Sequence, residues 1–349
     1  MTSLDRLILK EAPLLDPTWL AFEEEVKAKG PKKTYSSSLD RQPVYAEECR
    51  QLNARVLAPD APYHHLSNTT LQPLTTPSSL DQFAIPILRF SDDTDDTDNN
   101  TTGDEIVVIY YHGGGLYVGE ADSEELSCRR IAKDLEGATV YSVGYRLMPS
   151  SPASTCVSDS LDAFHHIRAL HPSPATKLII VGSSSGGQLA AAVSQAAPRG
   201  SLHGVLLRCP VTSDGGSSLD YVPPSLRHAY TSSTSPSFVT SLLGVFSRAV
   251  PRDGLERMPL EAGAETLAAL PRTWVQVCSN DTLYSDGVCY AMALAGAGVE
   301  VRVEVVMGWP HTFWLKAPWL ARAVEAEEEM VCGLRWVLGG HRSDAQASG

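Results

Sequence analysis

The sequence GSSSG at residues 182–186 constrains this chain more than any other feature. It follows an apolar run at residues 178–181, whose β-branched side chains predict a buried strand. The small residues after Gly187 predict a helix that packs closely against its neighbours. A strand that turns this sharply into a helix needs a glycine on each side of the central residue, and only Ser184 has a glycine two residues away in both directions. Ser184 is therefore the candidate nucleophile, although a glycine-rich turn without any chemistry has the same composition.

A second glycine-rich turn precedes this motif in the chain. His112 and three successive glycines follow residues 105–111, whose apolar pattern predicts another strand. Successive glycines allow backbone N–H groups to approach a developing negative oxygen, because no Cβ blocks the way. We expect the N–H groups of Gly113, Gly114 and Ser185 to form an oxyanion hole. A flexible glycine turn is the alternative, but two such motifs in this order favour a catalytic site.

Two loops further along the chain supply the acid and the base that a nucleophilic serine needs. Asp281 follows a strand-like run at residues 273–278, and His311 follows another at residues 301–307. The order serine, acid, histidine fits an α/β sheet, which gathers its ligands at the carboxyl ends of parallel strands. Asp286 is a rival acid, but its place at the start of the next helix favours a capping role. We therefore expect Asp281 to orient His311, which takes the proton from the serine.

With these motifs, the chain resembles the hormone-sensitive-lipase branch of the α/β-hydrolase superfamily. The matching features are the glycine loop at residues 112–115, the sequence YRLMP at residues 145–149, the turn at residues 182–187, and the two loops with the acid and the histidine. The correspondence covers about residues 80–338. It implies an α/β-hydrolase fold, with a mostly parallel central sheet flanked by helices and a helical cap.

The resemblance also implies a function. Ser184, Asp281 and His311 would be the catalytic triad of a carboxylesterase for short or medium acyl esters. The family usually has Asp where this chain has Ser183, Ala where it has Ser185, and Pro in place of Thr282. None of these departures removes a member of the triad. The change at Ser183 bears on how the turn is braced against the glycine loop, and hence on rate rather than on reaction class.

The chain is predicted to comprise a helical cap segment at residues 1–60 and a catalytic domain at residues 61–349. A second cap insertion is expected at about residues 213–260. Asp16 followed by Pro17 predicts the start of an N-terminal helix. An ordinary packed helix is the alternative to a cap.

The walls of a substrate pocket can be assigned by position only. Phe238 and Leu242 belong to an amphipathic pattern in the insertion, and such a lid would exclude water. Tyr117 follows the glycine loop, and Leu283 and Trp314 follow the acid and the histidine. Each of these five side chains could equally belong to the ordinary core.

Composition excludes several other functions. The net charge of −13 argues against nucleic acid or an anionic membrane as a partner. No run is long enough to span a bilayer and no leader segment is evident, so a cytoplasmic location is expected. Seven scattered cysteines without a C-x-x-C pair predict buried free thiols rather than disulfides or a zinc site. We expect no metal and no organic cofactor, and a homodimer is compatible with the sequence.

The sequence thus predicts a serine carboxylesterase that acts on a small-molecule ester through an acyl-enzyme. The first alternative keeps the triad but transfers the acyl group to another acceptor: an acyltransferase, or a thioesterase-like enzyme acting on a polyketide-type intermediate. Fungal secondary-metabolism esterases resemble this layout, including the N-terminal helices. The second alternative is a ligand-binding module of the same fold. Such modules lose the catalytic histidine, whereas His311 is present here.

Overall fold

The apolar runs of the sequence form one eight-stranded sheet in the computed structural model, which describes residues 4–30, 33–92, 105–231 and 250–339. The strands are β1 (Thr69–Pro77), β2 (Ala84–Asp92), β3 (Ile106–Tyr111), β4 (Ala138–Val143), β5 (Lys177–Ser183), β6 (Gly204–Arg208), β7 (Thr273–Asn280) and β8 (Val301–Pro310). Their order in the sheet is β1-β2-β4-β3-β5-β6-β7-β8. The pairs β1–β2 and β2–β4 are antiparallel, and all other pairs are parallel. The predicted mostly parallel sheet is confirmed.

Helices cover both faces of this sheet. They are α1 (Pro17–Ala28), α2 (Ser38–Leu57), α3 (Glu125–Asp134), α4 (Ala153–Leu170), α5 (Ser185–Ala196), α6 (Ala264–Ala268), α7 (Tyr284–Gly296), α8 (Phe313–Lys316) and α9 (Ala321–Val337). Side chains of α4, α5 and α7 form one hydrophobic cluster with the sheet. Those of α3 and α9 form a second cluster on the opposite face. The central strands are rich in apolar residues because they are buried on both sides.

Strand β3 shows how one run serves both layers. Val107 and Ile109 belong to the cluster on the α4 and α5 side, whereas Val108 and Tyr110 belong to the cluster on the α3 and α9 side. This alternation follows from the period of two in a strand.

Strands β3, β5, β6, β7 and β8 run parallel to one another, so they all end at one edge of the sheet. Their final residues enter the loops that carry the predicted site.

The N-terminal helices pack against this edge. The side chain of Asp16 caps α1 by accepting a hydrogen bond from Thr18 N at 2.8 Å, with Pro17 at the first helical position, as predicted. Asp16 N donates to the carbonyl of Gly308 at 2.8 Å, which ties the start of α1 to the end of β8. Trp19 is fully buried, and its ring lies 5.9 Å from that of Trp309. The segment is thus fixed beside the loop that carries His311.

We expect Trp19→Ala to lower the free energy of unfolding by about 3–5 kcal/mol, because the lost indole leaves a cavity that the neighbouring rings cannot fill. Urea unfolding followed by circular dichroism measures this loss. Trp319, which is 40% exposed, is the matched control, and we expect Trp319→Ala to cost less than half as much. Equal losses for the two variants would contradict the packing of α1 described above.

The predicted cap insertion is only partly described. Short 3₁₀ turns occur at Leu219–Tyr221, Pro224–Leu226 and Pro251–Gly254. The predicted amphipathic segment, with Phe238 and Leu242, lies outside the described residues. The division into cap and catalytic domain stays a prediction.

All seven cysteines are free, and five of them are buried, which confirms the prediction of buried thiols. The helices within the described residues all lack the combination of length and apolar character needed to cross a membrane.

Candidate active site

The turn between β5 and α5 holds Ser184 in a strained conformation. Its backbone has φ +54° and ψ −122°, outside the regions that residues with a Cβ prefer. The flanking glycines are required by space: an added Cβ at Gly182 would lie 2.2 Å from the carbonyl oxygen of Gly186. One at Gly186 would lie 2.0 Å from the carbonyl oxygen of Tyr111. The sharp turn predicted from the sequence is therefore present, with the serine at its apex.

The three residues predicted as a triad meet at the carboxyl edge of the sheet. Ser184 Oγ lies 2.9 Å from His311 Nε2, and His311 Nδ1 lies 2.7 Å from Asp281 Oδ2. The second carboxylate oxygen of Asp281 accepts a hydrogen bond from Leu283 N at 2.9 Å, which fixes its orientation. All three side chains are at most 5% exposed. This chain of contacts matches the nucleophile, base and acid arrangement of serine hydrolases.

The electrostatic environment of His311 is dominated by Asp281. Burial, the largest single influence, lowers the pKa of His311, but the charge and the hydrogen bond of the Asp281 carboxylate, together with Cys209, outweigh it and raise the pKa to about 10 from an ordinary value of 6.5. The carboxylate thus favours the protonated imidazole, the form that His311 takes after it removes a proton from Ser184.

The glycine loop supplies amides near the serine, with one correction to the prediction. Gly113 N donates to Glu124 Oε1 at 2.6 Å, so this amide is committed to a carboxylate and is not available to an oxyanion. By contrast, the N–H groups of Gly114, Gly115 and Ser185 donate no hydrogen bond to any residue that the structure describes. The prediction that the Gly113 N–H belongs to the oxyanion hole is therefore wrong in this structure. The sequence shows which amides are sterically unhindered, but not which of them already donate a hydrogen bond to another residue.

Comparison with known proteins identifies the family. A family model described by the α/β-hydrolase fold matches residues 108–315. The chain belongs to the α/β-hydrolase fold family. The resemblance to its hormone-sensitive-lipase branch, inferred from the motifs, is thereby confirmed.

Several individual proteins are similar to this α/β-hydrolase. It is 28% identical over 346 residues to the esterase LipI of Mycobacterium tuberculosis, a match that spans 97% of this chain and 96% of LipI. It is 32% identical over 236 residues to the FAD-linked oxidoreductase pytB of Aspergillus terreus, which covers 64% of this chain but only 28% of the length of pytB. A solved esterase from the archaeon Pyrobaculum calidifontis has a TM-score of 0.71 at 21% identity, covering 94% of this chain and all of that one, 100%. That likeness shows a shared fold.

The rival acid Asp286 has a different place in this α/β-hydrolase. It lies inside α7 and is buried, and its Oδ2 accepts hydrogen bonds from Thr212 N and Ser213 N at 2.8 and 2.9 Å. Tyr230 donates to its other oxygen at 2.5 Å. The capping interpretation is therefore wrong, because the carboxylate holds the loop after β6 rather than the start of its own helix. Asp281, not Asp286, contacts His311.

The sequence YRLMP at residues 145–149 supports the glycine loop. Tyr145 donates to the carbonyl of His112 at 2.6 Å, and its ring stacks on the imidazole with centroids 4.3 Å apart. Arg146 forms ion pairs with Asp159 at 2.8 Å and Asp81 at 2.6 Å. Tyr145 therefore helps to hold the glycine loop in place, and Arg146 anchors the motif itself.

The predicted pocket walls are not brought together as one set. Tyr117 and Leu283 are half-buried beside the glycine loop and the acid, respectively. Trp314 is buried and packs its ring against the guanidinium of Arg208 at 4.0 Å. It lines a cavity of about 170 Å³ between α2, α3 and α8, and Ser184 does not line that cavity. Phe238 and Leu242 lie outside the described residues.

Two triad residues and the neighbouring Cys209 are of residue types that can bind a metal ion. Atoms of Cys209, Asp281 and His311 lie within 4.8 Å of one another. Two of these residues are already hydrogen-bonded to each other. Burial raises the pKa of the Cys209 thiol well above its usual range, so the thiolate that a metal needs is disfavoured. The arrangement fits a triad better than a metal centre.

Glu124 is the site residue that sequence reasoning missed. It is 3% exposed and contacts both the glycine loop and the residue before the nucleophile. The signal that could have identified Glu124 is Ser183. The family usually has a carboxylate at that position, so its absence here suggests that a different carboxylate lies nearby.

Proposed function

We propose that this α/β-hydrolase is a serine carboxylesterase that acts on a small-molecule ester through a covalent acyl-enzyme. The observation that carries the proposal is the continuous relay from Ser184 Oγ through His311 to Asp281, with contacts of 2.9 and 2.7 Å. The similarity to LipI, which is named an esterase, extends over 97% of this chain and supports the same chemistry.

In the first step, Ser184 attacks the ester carbonyl. His311 Nε2 is placed to accept the hydroxyl proton as the new C–O bond forms, and Asp281 stabilises the resulting imidazolium. The strained backbone of Ser184 presents its oxygen at the apex of the turn before any substrate arrives. Little reorganisation is then needed to reach the attacking geometry.

The tetrahedral oxyanion is stabilised by backbone amides. Gly114 and Ser185 keep the role expected from the sequence, and Gly115 joins them in place of Gly113, because these N–H groups are not used by the fold among the described residues. One such donor typically contributes about 3 kcal/mol to transition-state stabilisation. Helix α5 begins at Ser185, so the positive end of its dipole adds modest support.

Collapse of the intermediate releases the alcohol, which leaves with the proton from His311. Water then attacks the acyl-Ser184 ester by the same route in reverse, and the carboxylic acid is released. Every proton in this sequence moves through His311. Short or medium acyl chains are the proposed substrates.

A series of p-nitrophenyl esters from acetate to dodecanoate tests the proposal. We expect hydrolysis to peak at one chain length and fall on either side, because a pocket of limited size fits one acyl length best. Product analysis in the presence of added alcohols or thiols separates hydrolysis from acyl transfer. A folded protein that hydrolyses none of these esters would remove the support for a general carboxylesterase. Turnover only with an added acceptor would assign an acyltransferase.

A further inference from the structure

The carboxylate of Glu124 joins three separate parts of the fold. Its Oε1 accepts hydrogen bonds from Gly113 N at 2.6 Å and from Ser183 Oγ at 2.5 Å. Its Oε2 accepts a hydrogen bond from the Tyr110 hydroxyl at 2.6 Å. These donors belong to the glycine loop, the residue before the nucleophile, and the end of β3. Glu124 directly precedes α3, and it also lines the cavity of about 170 Å³ between α2, α3 and α8.

Three hydrogen bonds hold this carboxylate, and its charge also acts on the cations Lys316 and Arg208. Burying an acidic group is costly unless hydrogen-bond donors replace the lost water. Burial, together with the charge of Glu124, raises the pKa of Tyr110 well above its usual range, so that hydroxyl stays protonated and donates. A costly arrangement of this kind persists where the geometry it imposes is needed.

The two loops that Glu124 joins are in direct contact. An added Cβ at Gly113 would lie 3.2 Å from Glu124 Oε1 and 3.2 Å from the Cβ of Ser184. The amide next along the chain, that of Gly114, is one of the proposed oxyanion donors. A displacement of Gly113 would therefore move the oxyanion donors relative to the nucleophile.

We propose that Glu124 is a positioning residue that sets the oxyanion loop against the nucleophile turn. It takes over the place of the carboxylate that the family usually carries at the position of Ser183, with the Ser183 hydroxyl acting as a donor to it. Glu124 touches no reacting atom and acts through Gly113 and Ser183. The inference rests on the proposed function only for its kinetic readout.

The variant Glu124→Ala leaves the amide of Gly113 and the hydroxyl of Ser183 buried without an acceptor. We expect kcat to fall about 100-fold, because a small misplacement of the oxyanion donors weakens transition-state binding. We expect KM to change little, since the ester itself does not contact Glu124. The variant Glu124→Gln keeps one acceptor oxygen for Gly113 and Ser183, and its amide can donate to Tyr110, so we expect kcat within about threefold of the wild type.

A carboxylate introduced at residue 183 should restore part of the activity that Glu124→Ala loses. In the double variant Ser183→Asp with Glu124→Ala, the new carboxylate extends one bond length beyond the place of Ser183 Oγ, toward the former position of Glu124 Oε1, which lies 2.5 Å from that oxygen. We expect it to recover about tenfold of the lost kcat. Ser183→Asp alone should be worse than the double variant, because two buried carboxylates would then adjoin.

Kinetics of these four variants and hydrogen–deuterium exchange of residues 113–119 test the inference together. Faster exchange of this segment in Glu124→Ala, slowed again in the double variant, is expected whether or not the natural substrate is an ester. If the wild type hydrolyses no ester, the proposed function fails while the exchange data still decide the role of Glu124. Retention of kcat within threefold in a folded Glu124→Ala protein, or an equal loss in Glu124→Gln, would overturn the inference. If Glu124→Ala does not fold, a folded but inactive double variant would overturn it, and an active one would support it.

Discussion

Replacing Ser184 with alanine is expected to lower kcat for ester hydrolysis by about 10⁶-fold, since the variant has no oxygen to form the acyl-enzyme. KM should stay close to that of the wild type, because the hydroxyl adds little to ground-state binding. A residual rate of about 10³-fold or more over the uncatalysed reaction should remain, supplied by the oxyanion amides and the bound geometry. Steady-state kinetics on the best p-nitrophenyl ester measure both quantities. A fluorophosphonate probe should label the wild type but not the variant.

The controls for this experiment separate chemistry from folding. Ser173 is an exposed serine in the loop before β5, and Ser173→Ala should leave kcat and probe labelling unchanged. The Ser184 side chain is small, and its loss should barely alter the melting temperature. If Ser184→Ala retained substantial activity, or if the probe labelled another residue of the wild type, Ser184 could not be the nucleophile.

The fold could be predicted from the sequence because its signals are local. Residues 178–181 are an apolar run that suits a strand buried on both faces, whereas residues 301–307 alternate valine with Arg302 and Glu304, and both segments form strands of the central sheet. Asp16 and Pro17 predicted the start of α1 because capping involves only neighbouring residues.

The triad could also be predicted, but its supports could not. Ser184, Asp281 and His311 each follow a strand, and parallel strands bring such positions to one edge. The hydrogen bond from Ser183 to Glu124 joins residues 59 apart in the chain, and only the tertiary fold brings the residue before α3 to the end of β5. For the same reason the sequence could not show that Gly113 is occupied. The role of Asp286 was misjudged because its partners, Thr212 and Ser213, come from a distant loop.

The second large effect is expected for Asp281→Asn. The asparagine can fill the same space, but it favours the wrong tautomer of His311 and no longer stabilises the imidazolium, so kcat should fall about 10⁴-fold. The pH profile should change as well. In the wild type, His311 must be neutral to act as a base, so kcat/KM should rise with pH through a midpoint between 6.5 and about 10. Removing the Asp281 charge lowers the pKa of His311, so this rise should move to lower pH in the variant.

The same pair makes an opposite prediction for stability. Because the folded-state pKa of His311 is raised, the interaction with Asp281 stabilises the fold fully below pH 6.5, and this contribution is lost as the pH rises toward about 10. The difference in unfolding free energy between wild type and Asp281→Asn should therefore shrink with increasing pH while the wild-type activity grows. Asp286→Asn is the control, because its carboxylate does not contact His311 and should leave the midpoint of the activity profile in place. If the midpoint of the activity profile shifted in Asp286→Asn but not in Asp281→Asn, the assignment of Asp281 as the acid of the triad would be wrong. The pair is thus most stabilising at the pH where His311 is least able to act as a base, which is the expected cost of holding an imidazole beside a buried carboxylate.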